Sequence, residues 1–312
     1  MKKAINHKRH QNSNRESKSK QAPRRFQIEE ETQLLTFLLQ ALSDKSRSTV
    51  KSILSNRQIA VNGTVTTQFD QILNSGDELI VNMEKGAQIF DSPEVKIIYE
   101  DDDLIVINKR EGLLSVATDN VKDKTAYRIL RDYVKQAGEH HKIFILHRLD
   151  RETSGLMMFA KSIAIQEQLQ KNWKDMIVER KYVAVVEGRP KNSKGEITSN
   201  LRENNAMNVY SAKHGQRATT AYEMLKTNEE YSLLELELET GRKNQIRIHM
   251  TEMGYPIAGD GKYGATTNPI KRLALHARKL KFIHPTTRQV LDFQTETPKK
   301  FLHLVKKGKS QD

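Results

Sequence analysis

The segment His147-Arg148-Leu149-Asp150-Arg151-Glu152-Thr153-Ser154-Gly155-Leu156 holds one carboxylate, Asp150, in a short polar loop between two apolar runs. Ile143 to Leu146 come before it and Leu156 to Ala160 after it, and both runs read as buried strands. Arg148 and Arg151 flank the acid. An acid held among cations stays ionised, because nearby positive charge favours the anion. A charged nucleophile or base at the rim of a sheet, beside groups that bind phosphate, suits chemistry on a nucleic acid.

An aspartate in a turn often does no more than close it. Two other segments argue for a larger role. In Thr240-Gly241-Arg242-Lys243-Asn244-Gln245-Ile246-Arg247-Ile248-His249-Met250, the stretch Asn244 to Met250 reads as a strand. A period of two then puts Lys243, Gln245, Arg247 and His249 on one face, with Asn244, Ile246, Ile248 and Met250 on the other. The apolar face would pack on the core and leave a row of donors. An unpaired guanidinium is costly to bury, and Asp150 is the carboxylate expected to pair with Arg247. The second segment is Lys181-Tyr182-Val183-Ala184-Val185-Val186. An aromatic there can simply fill the core. Alternatively, Tyr182 offers a platform on which a base stacks, with a phenol for hydrogen bonding or proton transfer.

Other chemistries find little support. His147 and His249 stand one per motif, without the carboxylate spacing of a metal site, so no metal is expected. There is no Gly-x-x-x-x-Gly-Lys loop and no Gly-x-Gly-x-x-Gly after a strand, so neither nucleotide triphosphates nor dinucleotides are suggested as cofactors. Ser154 lacks the context of a hydrolase nucleophile. The chain has no cysteine, which removes disulfides and thiolate catalysis and fits a reducing cytosol.

The 312 residues suggest roughly two domains. The net charge is +13, but residues 1–25 carry nine basic side chains and one acid, so they supply +8 of it. The folded body is therefore less basic than the total implies. That tail has almost no large apolar residue, and its composition predicts disorder and sequence-indifferent attraction to polyanions. No apolar run approaches the roughly 20 residues that span a bilayer, and no apolar segment follows the basic N-terminus. The expectation is a soluble, cytoplasmic protein.

The elements that must carry these residues follow from periodicity. Residues 31–42 form a helical stripe of leucines, and Ser46 to Asn56 a second short helix bearing Arg47 and Lys51, with Arg57 just beyond. Gln58 to Gly63 reads as a strand ending in an Asn-Gly turn, and Glu78 to Val81 as another strand. Together, 26–83 make a small helix–helix–hairpin domain, followed by a linker over 84–95. A second domain spans 96–305. It has strands at Ile97–Tyr99, Leu104–Asn108, Lys181–Glu187 and Tyr231–Glu239, a helix over 125–137 capped by Thr125, and a helix from Ser162 to Trp173. The mixed order argues for α+β. Residues 306–312 read as a basic C-terminal end.

These blocks resemble the RluA-type RNA pseudouridine synthases. The resemblance rests on HRLDRETSGLMMFAK at 147–161, RKYVAVVEG at 180–188, TGRKNQIRIHM at 240–250, GDGKYG at 259–264 and RLALHARKLKFIHP at 272–285, in the family's order. Residues 31–82 resemble the RNA-binding module named for small-subunit ribosomal protein S-four. The resemblance implies an α+β catalytic domain with a mixed, largely antiparallel sheet and a central cleft. It implies Asp150 as catalytic aspartate, Tyr182 as base-stacking tyrosine, Arg247 as the aspartate's partner, and neither metal nor organic cofactor. The reaction it implies detaches uracil from ribose, turns it and rejoins it through carbon 5. The target base must leave its stack, and Arg148 is placed to fill the gap.

Arg148, Arg151, Arg242 and Gln245, with Arg47, Lys51 and Arg57 in the small domain, are candidate RNA contacts. Ribosomal RNA is the leading partner, transfer RNA the alternative, and nothing demands more than a monomer. A non-catalytic RNA-binding or ribosome-assembly protein is the competing class. Two departures from the family stand out. Asn244 occupies a position where many members have His, which alters any hydrogen bond there. Lys109-Arg110 replaces the usual Lys-Pro near Gly112, which predicts a less rigid loop.

Overall fold

A computed structural model describes residues 23–83, 90–118, 124–136, 140–205 and 208–306. Residues 1–22 of the expected tail, 84–89 of the expected linker and 307–312 of the expected basic end lie outside the described residues, as does residue 137 of the expected helix. The chain forms two compact units, Met1–Ile89 and Phe90–Asp312.

In the first unit, the helices Leu34–Ala41 and Arg47–Ser55 bury Leu34, Leu38, Val50, Ile53 and Leu54. Ser46 caps the second helix by accepting from the Thr49 amide. Arg47 and Lys51 fall on its exposed face. A four-stranded sheet runs in the order Arg24–Gln27, Glu78–Val81, Ile59–Val61, Thr64–Val65. Asn62 and Gly63 both take positive φ, 50° and 78°, which a two-residue hairpin turn requires. The Asn62 amide also donates to Asp77 at 2.7 Å, tying this turn to the residue before the strand Glu78–Val81.

The second unit is mixed α/β around one large, mostly antiparallel sheet. Its order is Val209–Ser211, Lys194–Glu203, Gln216–Thr227, Tyr231–Leu238, Ile177–Glu187, Leu275–Ile283, Ser154–Ala160, Leu104–Lys109, Val95–Glu100. Val290–Gln294 pairs with Leu275–Ile283, and Phe144–Ile145 with Ser154–Ala160. All of Ser154–Ala160 is buried. Met157 and Phe159 join Ile105 and Ile107 in one core, while Leu156 and Met158 join Leu104 and Val106 in another. Burial on both faces explains an unbroken apolar run where a one-sided strand would alternate. Thr125 and Ser162 cap the helices Ala126–Lys135 and Ile163–Lys171 through their side-chain oxygens, and these helices cover the two cores. The expected continuation to Trp173 breaks at Asn172 before a short second helix, Trp173–Met176.

One expectation is overturned. The stretch Asn244 to Met250 is not a strand. Gln245–Glu252 is a helix entered through Asn244, whose φ of 57° is left-handed. Lys243, Gln245, Arg247 and His249 therefore share no single face. Gln245 and His249, one helical turn apart, both turn to the strand bearing Thr219 and Thr220. The helix buries Gln245, Ile246, Ile248, His249 and Met250, so no apolar stripe marks it in sequence.

The central strand meets Leu275–Ile283 in parallel through Ser154↔His276 and Gly155↔Ala277. Gly155 has φ +116°, and a Cβ there would sit 2.2 Å from the Ala277 carbonyl oxygen. Gly155→Ala should therefore cost more than about 2 kcal/mol of unfolding free energy, measured by urea denaturation.

Candidate active site

Asp150 lies on a loop pinned on both sides. Ser115 Oγ donates to the Leu149 carbonyl at 2.7 Å and accepts from the Leu149 amide at 3.1 Å. The Gly112 amide donates to the Arg151 carbonyl at 2.9 Å. Lys109 is fully buried, and its Nζ donates to the carbonyls of Leu113, Arg110 and Arg151 at 2.7, 3.0 and 3.3 Å. Burial pulls its pKa down to about 8, against the pull of Glu152 and Asp150. Arg110, where the resemblance leads one to expect proline, has a use of its own. The Arg110 amide donates to the Glu94 carbonyl at 2.8 Å, a bond proline cannot make, so this loop is tied by another means.

Tyr182 enters from the strand Ile177–Glu187. The pairing with Leu275–Ile283 slips between Lys181 and Tyr182, a bulge of the kind that re-aims a side chain. Tyr182 is 9% exposed. Burial pushes its phenol pKa up, Arg180 opposes this, and the Asp150 carboxylate adds to it. His147 accepts from the Met158 amide through Nε2 at 3.1 Å, and its ring packs 5.7 Å from Trp173. Burial, helped by Arg180, lowers its pKa to about 3, so it stays a neutral acceptor.

Arg247 faces Asp150, with Nη1 3.7 Å from Oδ2. Its tighter partner was not foreseen. Asp260, 2% exposed, accepts from Nε and Nη2 at 2.7 Å each. Asn244 accepts from Nη1 at 3.2 Å and passes its own amide to the Tyr263 hydroxyl at 3.0 Å. The Tyr263 ring lies 4.8 Å from the guanidinium carbon. Burial lowers the Arg247 pKa, but the Asp260 hydrogen bonds and charge, with Asp150, carry it above its ordinary value.

A cavity of ≈ 460 Å³, of a size for a nucleoside-scale ligand, is lined by Arg148, Asp150, Tyr182, Arg242, Gln245 and Arg247 among others. Arg148 and Arg242 are exposed. Gln245 is 2% exposed, and its amide is engaged by Thr219, Thr220, Thr240 and the Arg242 backbone, which ties the helix start to the neighbouring strand. Arg151 does not line the cavity. It donates to the Gly112 carbonyl at 3.1 Å. Arg47, Lys51 and Arg57 belong to the other unit. Chemically, the cavity offers a half-buried carboxylate set against a fixed guanidinium, with an aromatic ring beside it. Asp260 was legible only as an acid between Gly259 and Gly261 in a block that is weak alone.

Comparison with known proteins bears on this geometry. The family model described as RNA pseudouridylate synthase matches residues 103–252, a span that contains Asp150, Tyr182 and Arg247. The uncharacterised RNA pseudouridine synthase YhcT of Bacillus subtilis is 30% identical over 273 residues, covering 85% of this chain and 90% of the relative. The chain belongs to the RNA pseudouridine synthase family. Ribosomal large subunit pseudouridine synthase D of Escherichia coli is 30% identical over 298 residues, 88% of this chain and 91% of that protein. Human RNA Pseudouridylate Synthase Domain Containing 4 matches in structure with a TM-score of 0.54 at 25% identity, covering 66% of this chain and 90% of that one. As a family member the chain is an RNA-modifying isomerase, and its large mostly antiparallel sheet is the family's fold.

Two outcomes follow from the site's construction. Asp260→Asn leaves Arg247 partly buried without its bidentate carboxylate, and should cost about 3–5 kcal/mol in urea unfolding. His147 provides a pH signature. Its native pKa of about 3 lies below the ordinary 6.5, so below pH 6.5 the unfolded chain takes up a proton that the native state refuses. Stability should therefore fall on acidification, by up to about 1.4 kcal/mol per pH unit for this group. In His147→Gln, which still offers an oxygen to Met158, the plot of unfolding free energy against pH should be flatter by that amount between about pH 6.5 and 4.

Proposed function

We propose that the protein converts one or more uridines of structured ribosomal RNA to pseudouridine, with Asp150 as the essential catalytic group. The observation that carries this reading is the Asp150 carboxylate at the cavity, 3.7 Å from an Arg247 that Asp260 holds in place. Relatives named ribosomal large subunit pseudouridine synthase D support ribosomal RNA as the substrate class. The first unit, with Arg47 and Lys51 exposed on a capped helix, is read as an S-four-like module that adds backbone affinity for a large folded RNA.

The chemistry follows from the cavity. The target uridine leaves its stack, at a cost of a few kilocalories per mole that is least in loops and bulges. Arg148, exposed at the rim, enters the space the base vacates. The extruded uracil stacks on Tyr182. The bond from ribose C1′ to N1 breaks, the ring turns inside the cavity, and C1′ bonds to C5. The C5 proton is lost and N1 gains one. A closed pocket favours rejoining over escape, which is an orientation effect. Asp150 acts by attack on the sugar, attack on the ring, or removal of a ribose proton, and Arg247 orients it in each case.

Asp150→Asn preserves shape and removes the charge. In an assay for pseudouridine on RNA from cells lacking the gene, it should cut the rate by at least roughly a thousandfold. RNA affinity in a filter-binding assay should change little. Full activity of this variant would overturn the catalytic assignment. A wild-type protein that binds the RNA but modifies no uridine would leave only an RNA-binding protein.

A further inference from the structure

Arg180 lines the active-site cavity as a partly buried cation, and among the described residues nothing around it balances its charge. It comes from the strand Ile177–Glu187, and its guanidinium carbon sits 5.7 Å from the Trp173 ring centre. Gly241 makes room for it: a Cβ on that glycine would meet Nη1 at 2.7 Å. Its remaining neighbours are His147, held neutral, and the Tyr182 phenol. Among the described residues, no carboxylate pairs with Arg180 and no acceptor takes its hydrogens. Burial without a counter-charge lowers its pKa. Arg247, in the same cavity, has two carboxylates.

A guanidinium cannot shed its proton at neutral pH, so desolvating it without a partner is unfavourable unless a ligand supplies the anion. Its position indicates which anion. Arg180 lines both the active-site cavity and a neighbouring cavity of ≈ 370 Å³, and Trp173, Lys174, Leu238 and Glu239 line both as well. Glu239 and the smaller cavity's Glu196 and Glu237 do not pair with Arg180, and Glu237 lies 3.8 Å from Lys181. A chain of nucleotides running from one cavity to the other passes Arg180 between them.

We propose that Arg180 is a phosphate-binding residue that receives a phosphodiester of the strand carrying the target uridine, where that strand passes from the active-site cavity to its neighbour. The face of Trp173 holds the guanidinium from one side, and its free hydrogens meet two phosphate oxygens as a fork. Only the identity of the anion rests on the function proposed above.

Trp173 is the chain's sole tryptophan, so the fluorescence of the full-length protein reports on this point. The probes are the trinucleotide UpUpU and the same trinucleotide with neutral methylphosphonate linkages, titrated at low salt. The wild-type protein should bind the charged probe roughly ten- to a hundredfold more tightly than the neutral one, as a lost charge-assisted contact implies. Arg180→Gln should lose at least about tenfold of that preference, and Arg180→Lys should keep part of it. Lys226→Gln, exposed and outside both cavities, should keep all of it. An Arg180→Gln protein with the full wild-type preference would overturn the proposal. Should that variant fail to fold, neutralising one linkage at a time decides with the wild-type protein. A loss concentrated on one linkage supports the site, and equal small losses at both overturn it. The readout needs no isomerisation. An Arg180-dependent preference in a protein that makes no pseudouridine would uphold the phosphate site while removing the enzymatic reading.

Discussion

The guanidinium of Arg247 joins the Asp150 loop, the helix start at Asn244 and the segment Asp260–Tyr263. Asp260 holds Nε and Nη2 as a fork at 2.7 Å, Asn244 takes Nη1, and Tyr263 lies against the face. What remains of Nη1 is directed at Asp150, 3.7 Å away. A bidentate pair fixes a plane as well as a distance. The orientation in which Asp150 meets a positive charge is therefore set by Asp260. The longer contact is a loose electrostatic one, which leaves the Asp150 oxygens accessible from the cavity. Had Asp150 held the fork itself, its lone pairs would be occupied and little of the carboxylate would face a ligand.

That arrangement needs the chain to be fixed around it, and two backbone devices do so. The helix Gln245–Glu252 starts from a left-handed Asn244, a conformation in which asparagine is several-fold enriched. The same residue then spends both ends of its amide on Arg247 and Tyr263. On the opposite side, the loop around Asp150 is held through its carbonyls by Ser115, Gly112 and Lys109. A buried lysine bonded to three carbonyls resembles a strut: it is dear to desolvate, and it satisfies acceptors that would otherwise be orphaned. The Arg110 amide bond to Glu94 adds a tie where a proline would have restricted φ instead.

Much of this was visible in the sequence, for local reasons. The caps at Thr125 and Ser162 and the Asn62-Gly63 turn are chemistry within four residues, and each appears where expected. The run Leu156 to Ala160 is apolar without alternation because both its faces are covered. The Asn244–Met250 segment misled because Ile246, Ile248 and Met250 alternate as a strand's inner face would, while polar Gln245 and His249 are buried too. Their partners, Thr219 and Thr220, lie more than twenty residues away, and no local pattern announces them. Asp260 was hidden for a related reason. A carboxylate's claim on Arg247 depends on where the chain returns, and Asp150 was the acid with the stronger motif around it.

Arg180 and Arg247 line one cavity and differ in what balances them, and the difference has a physical consequence. A cation already paired with carboxylates contributes shape and orientation, but little net attraction for another anion. A cation left unpaired contributes the reverse: the protein bears its desolvation in the free state, and a phosphate recovers that cost on binding. On the proposed reading, one arginine orients the reactive acid and the other draws the substrate backbone toward it. Exchanging the roles would work against both tasks. A phosphate drawn to Arg247 would set two anions, its own charge and Asp150, side by side. A carboxylate paired with Arg180 would cancel its attraction for a phosphate. On that same reading, pairing state, more than the number of basic residues, gives this cavity separate positions for a reacting sugar and for the phosphate that follows it.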